Sequence, residues 1–141
     1  MAPRRRTEGS DHGRAFECGT IAEGLRSVRR GDMQAVGEIL ADEVVGHAPG
    51  NNALSGDYQG KTRVFEYFAK FMELHEGTYR FEIHDLFAND EHGVLMVEEE
   101  WQKPKPYRNR SVHIWHLQRG KATEFWFFNE DQAGVDASFR A

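Results

Sequence analysis

The sequence predicts an α+β fold, a cone-shaped barrel in which three N-terminal helices pack within a curved, mostly antiparallel sheet. Apolar residues recur every three or four positions up to residue 75 and every second position after Gly77. All but one of the aromatic residues lie between Tyr58 and Phe139. Helices followed by an aromatic-rich meander indicate a single core whose sheet is covered by helices on one face, with a hollow beneath it.

Three amphipathic segments account for the predicted helices. They cover residues 16–28, residues 33 to about 42, and residues 61–75. Gly31-Asp32 separates the first two, and Asp32 is a suitable N-cap for the second. The third segment presents a wide aromatic face, so it is the helix expected to fill the barrel.

Strands are predicted on both sides of the third helix. A short strand over 44–48 ends at Pro49-Gly50, and a loop rich in glycine and asparagine follows over 49–60. Period-two alternation then predicts four strands joined by hairpins, over 79–87, 93–101, 110–118 and 122–129.

Composition bounds the domain organisation and the classes of partner. Residues 1–12 are expected to be a disordered basic tail, and residues 13–141 a single domain. The net charge of −5 argues against nucleic-acid binding, and no apolar run approaches the roughly 20 residues of a membrane span. The lone Cys18 excludes an internal disulfide and a multi-cysteine zinc site. We therefore expect a soluble cytoplasmic protein.

The strand pattern places an acid and an imidazole on one apolar face. Pairing Glu99 with His113 also pairs Val97 with Trp115 and brings Trp101 to the same face. Buried polar groups must find partners, so a carboxylate–imidazole pair suited to proton transfer is one interpretation, and a structural cross-strand hydrogen bond is the other. A neighbouring register, with Glu98 opposite His113, would turn the histidine outward.

Other candidate features lie near this face. His47, one residue before the end of its strand, is a candidate second proton carrier at the pocket mouth. No metal-ligand motif, glycine-rich phosphate loop or covalent-catalysis motif is present, so neither metal nor cofactor is expected. Residues 125–128 are apolar on both faces, which predicts a cavity on one side and a partner subunit, or a folded-back C-terminal segment, on the other.

Five sequence segments resemble the SnoaL-like polyketide cyclases. They are Gly31-Asp32, residues 40–50 (LADEVVGHAPG), residues 55–60 (SGDYQG), residues 84–90 (HDLFAND), and residues 120–125 (GKATEF) with Asp131-Gln132. This family belongs to the nuclear-transport-factor-two-like superfamily, which also includes ketosteroid isomerases and limonene epoxide hydrolases. The resemblance covers about residues 15–137.

The resemblance implies a curved mixed sheet, a deep apolar pocket and a homodimer. His113 aligns with the oxyanion-hole aspartate of the isomerases, but their general-base aspartate aligns with Ala48 and their oxyanion tyrosine with Gly24. The arginine of the limonene-type hydrolases finds no clear match. The same alignment turns one set of side chains of the last strand inward, Phe125, Phe127 and Asn129, and leaves the other set on the possible dimer face, Glu124, Trp126 and Phe128.

Three functions are compatible with these observations. The first is a cofactor-independent acid/base enzyme of the cyclase or isomerase type, acting on a hydrophobic carbonyl compound such as a polyketide intermediate. His113 would polarise or protonate an enolate oxygen, Glu99 would orient His113 or act as the base, and His47 would move a second proton. The expected pocket walls are Trp101, Trp115, Phe68, Met72, Phe125 and Phe127. The alternatives are a non-catalytic protein that binds an apolar small molecule, and a dimerisation module with a filled core.

Overall fold

The computed structural model describes residues 33–140, which form three helices and six strands. The helices are α1 (Met33–Ile39), α2 (Lys61–Leu74) and α3 (Gln132–Ser138). The strands are β1 (Leu40–Ala48), β2 (Gly56–Gln59), β3 (Arg80–Ala88), β4 (His92–Trp101), β5 (Tyr107–Gln118) and β6 (Lys121–Asn129). The basic tail and the helix predicted over 16–28 lie outside the described residues.

All six strands belong to one mixed sheet in the order β2-β1-β6-β5-β4-β3. Only the β1–β6 pair is parallel, so the α+β class and the mostly antiparallel mixed sheet are confirmed. The arrangement of three N-terminal helices is not, because only α1 and α2 precede the meander in the described part of the chain. The third described helix, α3, follows the last strand and was not predicted.

Two boundaries in the first half differ from the prediction. Helix α1 ends at Ile39, and β1 begins at Leu40 instead of residue 44. Leu40 and Val44 are both almost fully buried, so the core draws this segment into the sheet, with a register shift between Leu40 and Val45 in its pairing with β6. The segment expected to be a loop contains β2, which pairs antiparallel with β1.

Helix α2 packs against the inner face of the sheet and forms the core with it. The ring of Phe68 on α2 stacks on the ring of Phe125 on β6, with ring centroids 6.2 Å apart and an interplanar angle of 13°. Gly46 of β1 lies under the same ring, where a Cβ atom would overlap Phe125. The absence of a side chain at Gly46 therefore lets β1 and β6 pack at this point.

The β4–β5 hairpin has a tighter register than the sequence suggested. Glu99 pairs with Asn109, Leu95 pairs with His113 and Trp101 pairs with Tyr107, so the predicted Glu99–His113 pairing is wrong. Strand β5 begins at Tyr107 instead of residue 110, which shortens the connection. The difference is an even number of residues, so Glu99 and His113 still share the inner face.

The outer face of the sheet carries an apolar band between two polar regions. Its side chains form cross-strand rows over β3 to β6: Phe87, Val94, Ile114 and Trp126, and next to them Met96, Val112 and Phe128. Phe87 is 55% exposed and Phe128 53% exposed. We call these seven residues the outer band. It lies between a histidine-containing row and rows of arginine and glutamate.

Candidate active site

A cavity of about 80 Å³ lies between the inner face of the sheet, α2 and α3. The core is therefore not completely filled by its own side chains. Most of the wall is apolar, contributed by Leu54, Phe68, Phe71, Phe81, Trp101, Phe127, Val135 and Phe139. The polar part comes from Asn52, Tyr67, Tyr79, Glu99, Asn109, His113, Asn129 and Gln132. A mostly apolar wall with few polar groups is typical of a small-molecule site.

The structure brings several of the predicted site residues to this cavity. Glu99 and His113 both line it, on β4 and β5 respectively. So do four of the predicted wall and binding residues, Trp101, Phe68, Phe127 and Asn129.

Three predicted wall residues lie elsewhere. Trp115 and Phe125 are 2% and 1% exposed and pack on each other in the core, with ring centroids 4.6 Å apart. Phe125 is held there by its packing over Gly46. On α2, Phe71 faces the cavity in place of Met72, which does not line it.

His47 lies outside the cavity, on the outer face of the sheet. Its Nδ1 is 2.7 Å from Asp57 Oδ1, its Nε2 is 2.6 Å from Glu124 Oε2, and its ring stacks on Trp126. Burial alone would lower the pKa of His47, but hydrogen bonds to Glu124 and Asp57 raise it above the usual value. Side chains alternate along β1, so Ala48 faces the cavity and His47 is turned away.

Glu99 is a half-buried carboxyl group in the cavity wall. Burial raises its pKa to about 7, although hydrogen bonds from Ser111, Asn109 and Tyr79 act in the opposite direction. Ser111 Oγ donates to Glu99 Oε2 over 3.4 Å. Near neutral pH this carboxyl group therefore exists in both protonation states, as a general base or acid requires.

His113 is a neutral imidazole in the same site. Burial lowers its pKa to about 3, so it carries no charge near neutrality. Its Nε2 lies 3.1 Å from Ser111 Oγ, and its ring packs against Phe127 with centroids 4.6 Å apart. Nδ1 has no hydrogen-bond partner within residues 33–140. The expected direct carboxylate–imidazole pair is replaced by an array in which Ser111 stands between the two groups.

Sequence comparison agrees with this architecture. A family model described as the SnoaL-like domain matches residues 21–125, about three quarters of the chain. The chain belongs to the SnoaL-like domain family. This family includes cyclases and isomerases within the nuclear-transport-factor-two-like superfamily. No curated protein matches the sequence.

Solved structures resemble this SnoaL-like domain over almost their whole length. Bal32a, from a soil-derived mobile gene cassette, has a TM-score of 0.83 at 17% identity, with 88% of this chain and 96% of that chain covered. A nuclear-transport-factor-two-like protein of Burkholderia xenovorans LB400 has a TM-score of 0.75 at 13% identity, with coverage of 90% and 98%. TerC, co-crystallised with polyporic acid, has a TM-score of 0.76 at 18% identity, with coverage of 89% and 98%. At these identities the likeness shows the fold.

Several polar residues of the SnoaL-like site were missed from the sequence, among them Asn109, Ser111, Tyr67 and Tyr79. Asn109, Ser111 and His113 alternate along β5 and form a polar stripe on its inner face. This period-two pattern is visible in the sequence, but the strand had been expected to start after Asn109. No role in the site was predicted for Tyr67 or Tyr79, although both line the cavity and lie close to Glu99.

A chain of side-chain amides connects the floor of the site to α3. Asn109 Nδ2 donates to Asn129 Oδ1 over 2.7 Å, Asn129 Nδ2 donates to Gln132 Oε1 over 2.8 Å, and Gln132 Nε2 donates to Asp136 Oδ1 over 2.9 Å. Asp136 also accepts from Asn52 Nδ2 over 2.7 Å, in the segment between β1 and β2. The chain thus fixes α3 and this segment at one edge of the cavity.

Two further features of the described residues concern metal binding and membrane insertion. In the part of the chain that the structure describes, no group of three or more His, Cys, Asp or Glu side chains is placed to hold a metal ion. No helix within residues 33–140 is long and apolar enough to cross a membrane.

Proposed function

We propose that this SnoaL-like domain is a cofactor-independent acid/base enzyme of the cyclase or isomerase type. Its substrate would be a hydrophobic carbonyl compound, such as a polyketide intermediate. The proposal depends on one observation: Glu99, with a pKa of about 7, borders a cavity whose walls are mainly aromatic. A desolvated carboxylate is a stronger base than a solvated one, and proton transfer is favoured when the pKa lies near the working pH.

Each polar group has a role in the proposed reaction. Ionised Glu99 takes a proton from the carbon next to the carbonyl, and the electron pair of the C–H bond becomes part of an enolate. Neutral His113 polarises the enolate oxygen or gives it a proton. Tyr67 is a further donor in the cavity, because burial raises its pKa and keeps the hydroxyl protonated.

The aromatic wall supports a hydrophobic ligand. TerC, which shares this fold, was co-crystallised with polyporic acid. The cavity volume argues against a module with a filled core, because several non-hydrogen atoms fit without rearrangement. Binding without conversion is the remaining alternative and is an outcome of the following experiment.

Proton exchange next to a carbonyl tests the proposal without knowledge of the natural substrate. The full-length protein is incubated in D₂O with a small aromatic ketone such as 2-tetralone, and loss of the α-proton signal is followed by NMR. Wild-type protein should accelerate exchange, and Glu99→Gln should reduce that acceleration by about 100-fold or more.

The matched control for this experiment is Glu98→Gln, which neutralises the adjacent carboxylate on the outer face. It should exchange the ketone at the wild-type rate. A ketone that binds but exchanges no faster than in buffer would overturn the enzymatic proposal in favour of a binding protein.

We also propose that a second copy of the chain covers the outer band. Seven apolar side chains in adjacent rows form a continuous patch on the sheet, and Phe87, Phe128 and Met96 are well exposed on it. Contiguous apolar surface of this kind is typical of protein interfaces. Helix α3 lies against the cavity on the other face, so the folded-back C-terminal segment does not cover the band.

A further inference from the structure

The side-chain amides of Asn109, Asn129 and Gln132 form an amide chain between two carboxyl groups. Asp136 of α3 lies at one end, where it accepts from Gln132. Glu99 lies at the other end, because it is paired with Asn109 across β4 and β5 and both side chains line the cavity. Directly opposed residues on one face of a sheet are close enough to interact, and Asn109 is one of the hydrogen-bond partners of Glu99.

The carboxylate of Asp136 gives the amide chain a direction. Its hydrogen bonds and the nearby Arg140 hold the pKa of Asp136 below its usual value, so near neutral pH it is ionised and can only accept. Gln132 therefore turns Nε2 toward Asp136 and leaves Oε1 to accept from Asn129. Asn129 in turn presents Oδ1 to Asn109 Nδ2. Reversing a single amide would bring two oxygen atoms or two NH₂ groups together.

The end of the amide chain at Asn109 presents donors to Glu99. Asn109 Oδ1 is buried and has no hydrogen-bond partner among residues 33–140, so Nδ2 is the atom that serves the neighbours of this side chain. An amide nitrogen carries two protons. One is donated to Asn129 Oδ1, and the other is available to the carboxyl group of Glu99.

We infer that Asp136, Gln132 and Asn129 are positioning residues for Glu99, because together they hold the Asn109 amide with its NH₂ group on the carboxyl group. This inference rests on the proposed function, in which Glu99 is the base, and deepens it by adding the residues that orient a donor to that base. The three residues act through Asn109, which is the member of the amide chain opposite Glu99.

A fixed Asn109 amide favours the ionised form of Glu99. It offers a donor to the carboxyl group in both protonation states, and a carboxylate accepts a stronger hydrogen bond than a neutral acid does. An amide that is free to turn would present Oδ1 to the protonated acid and stabilise that form by accepting a hydrogen bond from it. The amide chain therefore makes the base available at a lower pH than burial alone would allow.

The other titratable side chains near Glu99 keep their charge state near neutral pH. Burial raises the pKa of Tyr67 on α2 and of Tyr79 before β3, so both hydroxyls stay protonated. Burial lowers the pKa of His113 on β5, so its imidazole stays neutral. Strand β3 places the apolar Phe81 opposite Glu99. A shift in the titration of Glu99 therefore reports its hydrogen bonds and its hydration.

Titration of the ligand-free protein, followed by carbon-13 NMR of the Glu99 side chain, tests the inference. Asn109→Leu should raise the Glu99 midpoint by about one pH unit or more, because a hydrogen bond to a charged group is lost. Gln132→Leu leaves Asn109 in place but removes its link to Asp136, and should raise the midpoint by about 0.5 pH unit or more. In the double variant, Gln132→Leu should add nothing to the effect of Asn109→Leu, because the two changes act through the same amide.

Asn52→Leu is the matched control for the loss of one hydrogen bond on Asp136. Asn52 donates to the same Oδ1 atom as Gln132 and also lines the cavity, but it does not belong to the amide chain. This variant should leave the Glu99 midpoint at the wild-type value. If the substitutions merely loosened α3, water would enter the site and lower the midpoint in both Asn52→Leu and Gln132→Leu.

Asn129→Leu breaks the amide chain at a second point. It should raise the Glu99 midpoint as Gln132→Leu does, so either variant tests the inference if the other does not fold. A midpoint that is unchanged or lowered when the amide chain is broken would overturn the inference. So would an equal upward shift in Asn52→Leu.

The ketone exchange assay separates this result from the proposed function. In Gln132→Leu the pH profile of kcat/KM should move upward together with the Glu99 midpoint, because this profile reports ionisation of the free enzyme. Wild-type protein that exchanges no ketone, with midpoints that shift as expected, would support the amide chain and contradict the function. Exchange that depends on Glu99, with a midpoint that does not respond to Gln132→Leu, would overturn the role of the amide chain and leave the function in place.

Discussion

The environment of Glu99 sets both its reactivity as an acid or base and the free-energy cost of ionising it in the folded protein. The carboxyl group sits among aromatic rings, and its three hydrogen-bond donors only partly offset the loss of hydration. A folded-state pKa of about 7, against a usual value of 4.5, means that the folded chain holds a proton that the unfolded chain has lost. Stability contributed by the protonated acid is therefore lost as the pH rises from about 4.5 through 7.

Replacement of this carboxyl group should change the pH dependence of stability. Glu99→Gln removes the cost of ionising a buried group, which amounts to at most about 3 kcal/mol above pH 8. The variant should be more stable than wild type at pH 8 and show a much smaller gain at pH 5. Urea unfolding at the two pH values measures this difference. An equal difference at both values would contradict the raised pKa.

The inward positions of Glu99 and His113 were predictable because only the parity of the register matters for the face. The observed β4–β5 register differs from the predicted one by four residues, and both side chains therefore stay on the inner face. The position of Ser111 between Glu99 and His113 was not predictable, since it depends on which residues are neighbours across and along the strands. That information lies in the tight connection between β4 and β5, and the sequence pattern of the strands does not specify it.

At the scale of elements, one carboxylate joins α3 to the segment between β1 and β2. Asp136 accepts hydrogen bonds from the backbone of Asn51 and the side chains of Asn52 and Gln132. Burial alone would raise the pKa of Asp136, but these hydrogen bonds lower it. The attachment is therefore complete above the usual aspartate value and weakens as the pH falls through the lower folded-state value.

Loss of this carboxylate should release α3 from the cavity edge. In Asp136→Ala, hydrogen exchange of residues 132–138 should accelerate by about tenfold or more, because three hydrogen bonds are lost. The bound ketone should also dissociate more readily, since Gln132 and Val135 line the cavity. Hydrogen-exchange mass spectrometry measures the first effect. Asp90→Ala, in the exposed β3–β4 turn, is the control, and equal exchange in both variants would contradict the attachment.

Two short elements escaped the sequence analysis for a physical reason. Strand β2 has four residues in a segment dominated by turn-forming residues, and α3 has seven residues with Val135 as its main apolar anchor. Neither carries enough hydrophobic periodicity to predict it. Both are held by contacts distant in sequence: pairing with β1, and the hydrogen bonds of Asp136. The Asp131 side chain, which caps α3 by accepting from the Gly134 amide, was the one local signal.

At the scale of the molecule, the two faces of the sheet have different environments. The inner face holds the core and the cavity, and the outer face presents the outer band. The general class was predictable because the change from helical to strand periodicity at Gly77 is sharp. The resemblance implied a mixed sheet, but the parallel β1–β6 pairing was not predicted, since no local pattern specifies which distant strands become neighbours.

The outer band predicts that the chain forms a homodimer. Phe128→Glu should convert the dimer to a monomer, because it places a charge in an apolar interface that must exclude water. Light scattering coupled to size-exclusion chromatography measures the mass of each species. Arg108→Ala, on the same face beyond the outer band, should remain dimeric. A wild-type chain that is monomeric at all concentrations would contradict this prediction.

The central claim is that one half-buried carboxyl group, Glu99, meets a carbonyl ligand in the cavity. Carbon-13 NMR of the Glu99 side chain, titrated with and without 2-tetralone, tests it most directly. We predict a midpoint near pH 7 for the free protein and a higher midpoint with the ketone bound, because the ligand removes the remaining water from the carboxyl group. A midpoint near 4.5 that does not respond to the ketone would contradict the account.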